Sequence, residues 1–182
     1  RAGGRGLREC RPSCVGRRID AALEDTRLGA GKIGIVSSAA LIGTIAERLT
    51  VFRAENVVVD PVMVATSGAR LMQEDAVSAL CGQLLPLASL VTPNIPEAEI
   101  LSGLRISDKT QMQEAARSIG EEYGCAVPVK GGHGVHAADD LLWPDGAYSW
   151  SAGTRIPHPN TQGTRRAPHE TTTTTACKVF AR

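Results

Sequence analysis

Three polar clusters in this chain have the residue types and places to do chemistry together. Asp60 follows Val57-Val58-Val59, Asn94 and Glu97 follow Leu90-Val91-Thr92-Pro93, and Lys130-Gly131-Gly132 follows Ala126-Val127-Pro128-Val129. Each stands just past a short apolar run. An acid, an Asn/Glu pair and a lysine followed by glycines suit phosphoryl transfer. Lysine and backbone N–H groups stabilise the negative charge spread over a transferring phosphate, while acids hold Mg²⁺. The bland alternatives are a turn-capping Asp60 and a solvated surface Lys130. His133 and His136 are read as loop histidines.

The elements around these clusters must bring them to one place. The β-branched run Val57–Val59 suits a strand buried on both faces of a parallel sheet. Pro61 cannot donate to a ladder, so the strand ends there. Lys32 to Val36, Leu90 to Thr92 and Ala126 to Val129 are further strands. Helices are expected from Ile19, from Ala39 to Leu49 behind a Ser37 or Ser38 cap, and from Gln73 with Ala76, Val77, Leu80 and Leu84 inward. A short helix opens at Pro96 and closes at Gly103. A longer one runs from Lys109 to Tyr123, capped by Ser107 and stopped by Gly124. Asp140–Trp143 and Ala147–Trp150 flank Pro144-Asp145-Gly146, a hairpin signal. Strands alternating with helices imply an α/β fold with a largely parallel central sheet and helices on both faces. Such sheets bind ligands beyond the carboxyl ends of their strands, which is where all three clusters fall.

Composition narrows the classes. At 182 residues the chain reads as one domain, and with only 3% aromatics its core must be built from Ala, Val, Leu and Ile. A net charge of +1 implies no nucleic-acid or membrane partner. No apolar run is long enough for a bilayer and no signal peptide is visible. Five cysteines at irregular spacing argue against a disulfide framework and fit a reducing cytosol, so a cytoplasmic protein is expected. The start, residues 1–18, is Arg- and Gly-rich and is expected to be poorly ordered. Neither a P-loop nor a dinucleotide-binding glycine motif is present.

Five segments in order carry a family resemblance: Val-Asp-Pro-Val-Met-Val-Ala-Thr-Ser-Gly (59–68), Leu-Leu-Pro-Leu-Ala (84–88), Val-Thr-Pro-Asn-Ile-Pro-Glu-Ala-Glu (91–99), Val-Lys-Gly-Gly-His (129–133) and Asn-Thr-Gln-Gly-Thr (160–164). Together with Lys-Ile-Gly-Ile-Val-Ser-Ser (32–38), they resemble the hydroxymethylpyrimidine/phosphomethylpyrimidine kinases of thiamine biosynthesis, in the ribokinase-like superfamily. The resemblance implies a three-layer α/β/α fold and ATP-dependent phosphorylation of a small-molecule substrate, a pyrimidine alcohol or its phosphate, with ATP and Mg²⁺ as cofactors. It places Asp60 near the metal and the phosphates, with Asn94 and Glu97 holding the metal and its water shell. Lys130, Gly131 and Gly132 would meet the ATP phosphates. Ile35 and Val62 would line the pyrimidine pocket, and Asn160, Thr161, Gly163 and Thr164 would begin the anion hole. Family members commonly pair through the sheet edge, so a homodimer is among the implications.

The departures from the pattern are specific. Where the family's anion hole reads Gly-Thr-Gly-Cys, this chain has Gly163-Thr164-Arg165-Arg166, so Arg166 stands at the catalytic base position. Arginine stays protonated and cannot take a hydroxyl proton. Thr171 to Thr175 then make a poor helix. The start offers nothing like the family's Gly-rich first segment. The expected division is therefore a poorly ordered 1–18, a partial and incomplete kinase domain over 19–164, and an atypical tail over 165–182, with a truncated gene or altered reading frame expected at both ends. Two other readings follow: an inactive remnant of such a kinase, and a related vitamin kinase acting on pyridoxal.

Overall fold

The computed structural model describes residues 10–25, 30–36, 38–63, 71–131, 140–143 and 149–151. The first helix, α1 (Pro12–Asp25), begins seven residues before the expected Ile19, so the 12–18 part of the supposedly disordered start is helical. Pro12 explains the early start: its fixed φ suits the first helical position and its missing N–H costs nothing there. Strand β1 (Gly31–Ile33) is shorter than expected. Helix α2 (Ala39–Val51) is capped by Ser38, whose Oγ accepts the Leu41 N–H at 3.4 Å. Its Ile42, Ile45 and Ala46 recur at helical spacing and are buried. Strand β2 is Val57–Val59, with all three side chains buried as the sequence implied.

Helix α3 (Glu74–Ala79) does not continue as one α-helix. It widens into a π-turn over Leu80–Leu84 and tightens into a 3₁₀ turn over Leu85–Leu87. Pro86 is the cause: it cannot donate an α-helical bond and its ring would clash with the preceding turn. The change of pitch leaves the consecutive Leu84 and Leu85 both fully buried. Strand β3 (Leu90–Val91) leads into α4 (Ile95–Ser102), and α5 (Lys109–Tyr123) leads into β4 (Val127–Val129). Gly103 and Gly124 close the two helices at φ of +70° and +66°, the left-handed conformation that favours glycine. Strands β5 (Asp140–Trp143) and β6 (Ser149–Ser151) form the expected antiparallel hairpin.

Strands β1, β2 and β3 pair in parallel, and β4, β5 and β6 pair antiparallel. Two isolated parallel bridges, Leu90 with Ala126 and Asn94 with Lys130, join the halves. The Ala126 N–H reaches Ser89 O at 3.0 Å and the Lys130 N–H reaches Pro93 O at 2.8 Å. The rungs between them would need N–H groups that Pro93 and Pro128 lack, so the ladder is interrupted rather than absent. The central core packs Ile42, Leu80, Leu84, Leu85, Ile119 and Leu141 against the strand valines. No described helix is long and apolar enough to cross a membrane.

The cap of α5 differs from expectation. Asp108, not Ser107, is the N-cap, with Oδ1 accepting the Gln111 N–H at 2.8 Å. Ser107 instead donates its N–H and hydroxyl to Gln111 Oε1, each at 2.7 Å. We therefore expect Asp108→Ala to destabilise the chain by about 1 kcal/mol and Ser107→Ala by less. Urea denaturation checks the order, and the reverse order would contradict this cap.

Candidate active site

The end of each strand is tied to its neighbour by one backbone bond. The Asp60 N–H donates to Ile33 O at 2.8 Å, the Thr92 N–H to Val59 O at 2.9 Å, and the Lys130 N–H to Pro93 O at 2.8 Å. These bonds carry the ladder past the strands and bring Asp60, Asn94 and Lys130 to one edge. There Lys130 Nζ donates to Asp60 Oδ1 at 2.8 Å. Their side chains are 22% and 20% exposed, so the pair is shielded from most solvent screening. A surface lysine waving in solvent does not fit this geometry.

Asn94 and Glu97 are joined in a reciprocal capping box at the start of α4. Asn94 Oδ1 accepts the Glu97 N–H at 2.9 Å, and Glu97 Oε2 accepts the Asn94 N–H at 2.8 Å. Glu97 is only 2% exposed. Burial pushes its carboxyl above the ordinary 4.5, against the pull of the Asn94 N–H and the Lys130 charge, while Asp60 adds to the rise. Asp60 moves the other way. Burial pushes its carboxyl up, but the charges and hydrogen bonds of Lys130 and then Lys32 reverse that and hold it below the ordinary 3.8. The two neighbouring carboxyls are thus shifted in opposite directions, each by its own surroundings.

In the sequence Lys32 is only the first residue of an expected strand. Its Nζ lies 3.4 Å from Asp60 Oδ2, so Asp60 has an ammonium on each oxygen. The signal was its place beside Ile33, whose carbonyl anchors the Asp60 backbone. Gly131 is half-buried beside Lys130. Of the expected pyrimidine-pocket residues, Ile35 is 74% exposed and Val62 is half-buried. A separate apolar cavity of about 390 Å³ lies between α1, β1 and α2, lined by Ile19, Leu23, Ile33 and Phe52 among others. Neither Ile35 nor Val62 lines it. Gly132, Asn160, Thr161, Gly163, Thr164 and Arg166 lie outside the described residues.

The phosphomethylpyrimidine kinase family model matches residues 1–167. The chain belongs to that family. The match starts at residue 1 and runs to Ala167, so it includes the start, which the motif resemblance does not reach. The chain is 45% identical over 161 residues to the thiamine biosynthesis bifunctional protein ThiED of Geobacter sulfurreducens, covering 87% of this chain and 33% of that protein. It is 38% identical over 152 residues to the hydroxymethylpyrimidine/phosphomethylpyrimidine kinase of Haemophilus influenzae, covering 81% and 56% respectively. The chain therefore spans between a third and just over half of these relatives. Among solved structures, the phosphomethylpyrimidine kinase of Clostridium difficile superposes with a TM-score of 0.78 at 34% identity, covering 82% of this chain and 64% of that one. The ADP complex of Bacillus subtilis pyridoxal kinase gives 0.81 at 26% identity, covering 95% and 65%. The fold is thus the ribokinase-like α/β fold of these kinases.

The opposed carboxyl shifts make a signed prediction for the metal-free protein. Asp60, lowered when folded, contributes stability that is present above 3.8 and lost as pH falls through its lower folded value. Glu97, raised when folded, contributes stability present below 4.5 and lost as pH rises through its higher folded value. In chelator-treated urea titrations, Asp60→Asn should remove a loss on the acid side. Glu97→Gln should remove a decline on raising pH above 4.5. Variants with the wild-type pH profile would contradict both assignments.

Proposed function

We propose that the chain is the phosphate-handling part of an ATP-dependent kinase that phosphorylates a hydroxymethylpyrimidine and then its monophosphate in thiamine biosynthesis. The observation that carries this is the 2.8 Å pair of Lys130 with Asp60 at the carboxyl edge, beside the buried Glu97, in a chain of this family. Lys130 is the residue that meets the ATP phosphates, and Gly131 and Gly132 let the backbone approach them. Asp60 and Glu97 fit Mg²⁺ as outer partners. Glu97 Oε2 is engaged in the capping box and both Asp60 oxygens face lysines, so each would hold the ion through its water shell. Bound there, the metal would neutralise charge on the phosphates. Ile35 and Val62 are proposed to face the pyrimidine, and Asn160, Thr161, Gly163 and Thr164 to begin the anion hole.

A second reading, nucleotide binding without transfer, is favoured by Arg165-Arg166. At the positions of the family's glycine and cysteine, they would offer charge to a phosphate but no group that can take a proton. A positioned general base contributes about 10²–10⁴-fold. The two readings share nucleotide binding and part on turnover.

Calorimetric titration with Mg-ATP should show binding by wild type and about 10–100-fold weaker binding by Lys130→Ala, the equivalent of a charge-assisted contact. Equal affinities would remove Lys130 from the site. A coupled ADP-release assay on the same samples should show slow turnover at most, because Arg166 cannot take the hydroxyl proton, with hydroxymethylpyrimidine preferred to pyridoxal. Binding without ADP release would select the second reading, and preference for pyridoxal would overturn the pyrimidine assignment.

A further inference from the structure

Asp60 is a single carboxylate with two cations on it. Lys130 takes Oδ1 at 2.8 Å and Lys32 approaches Oδ2 at 3.4 Å. The two lysines are not equivalent, since the Lys130 side chain is 22% exposed and the Lys32 side chain 60%. They also come from opposite directions. Lys32 sits on β1, whose Ile33 carbonyl holds the Asp60 N–H, and Lys130 follows β4.

A lysine that serves a phosphate must turn at least partly away from a carboxylate it already holds. Leaving a mostly buried carboxylate without a partner is costly. The proposed Mg²⁺ would reach Asp60 only through its water shell, so Lys32 at the second oxygen is the direct partner that reduces that cost. We infer that Lys32 is a positioning residue that keeps Asp60 paired when Lys130 turns to an incoming phosphate. It rests on the proposed phosphate role of Lys130. Lys32 acts through Asp60 and does not itself bind the nucleotide. Its solvent exposure suits this task, because an exposed lysine can tighten from 3.4 Å with little reorganisation.

The test is calorimetric binding of Mg-ATP at fixed ionic strength to the 182-residue chain and its variants. Lys32→Ala should weaken binding about three- to fivefold, the range of a solvent-screened ion pair. Lys32→Arg should stay within about twofold of wild type, since it restores the cation. In an Asp60→Asn background, Lys32→Ala should have no further effect, because the residue it acts through is gone. An undiminished effect in that background would mean direct contact with the nucleotide and would overturn the inference. So would a Lys32→Ala affinity equal to wild type while Lys130→Ala is weakened, and that outcome leaves the proposed function standing. A Lys130→Ala affinity equal to wild type would overturn the proposed function and this inference with it.

Discussion

A carboxylate four-fifths shielded from water at the edge of a sheet has to be paired, and Asp60 is paired on both oxygens. The rest of the edge follows from that requirement. Lys130 is drawn across from β4, some seventy residues on in sequence, and its charge in turn reaches Glu97. The same lysine thus lowers Asp60 and moderates the rise of Glu97. Asp60, with a lysine on each oxygen, goes down, and Glu97, governed mainly by its burial, goes up.

Proline sets where this edge lies. Pro61 and Pro93 stop β2 and β3 because neither can donate to a ladder. Pro128 stands inside β4 and, with Pro93, removes the middle rungs between the two halves of the sheet. Lys130 is the first residue past that gap to regain a backbone bond, to Pro93 O. The strand ends are fixed by hydrogen bonds at Ile33, Val59 and Pro93, so the polar side chains emerge from held positions rather than from free loops. Glu97 is held too, because the capping box that starts α4 also fixes its carboxylate. A helix start and a candidate active-site acid are here the same residue.

Much of this was legible in the sequence because it depends on local rules. Three consecutive valines before Asp-Pro specify a buried strand that stops. Gly103 and Gly124 announce helix ends that need positive φ. The edge placement of Asp60, Asn94 and Lys130 follows from strands in a parallel sheet pointing one way. What sequence did not show depends on competition or on distance. Ser107 and Asp108 are both good caps, and only the register of Gln111 decides between them. The π-turn in the α3 segment arises from Pro86 and the need to bury Leu84 and Leu85 together, which no helical period predicts. Lys32 looks like an ordinary strand lysine until β1 is laid beside β2.

Asp60 and Lys130 are joined across this edge by a single short contact. Their coupling is read by a double-mutant cycle on unfolding free energy, with Asp60→Asn, Lys130→Met and the two combined. The 2.8 Å contact at about one-fifth exposure predicts a coupling of about 1–3 kcal/mol. Additive effects, with coupling below about 0.3 kcal/mol, would contradict it.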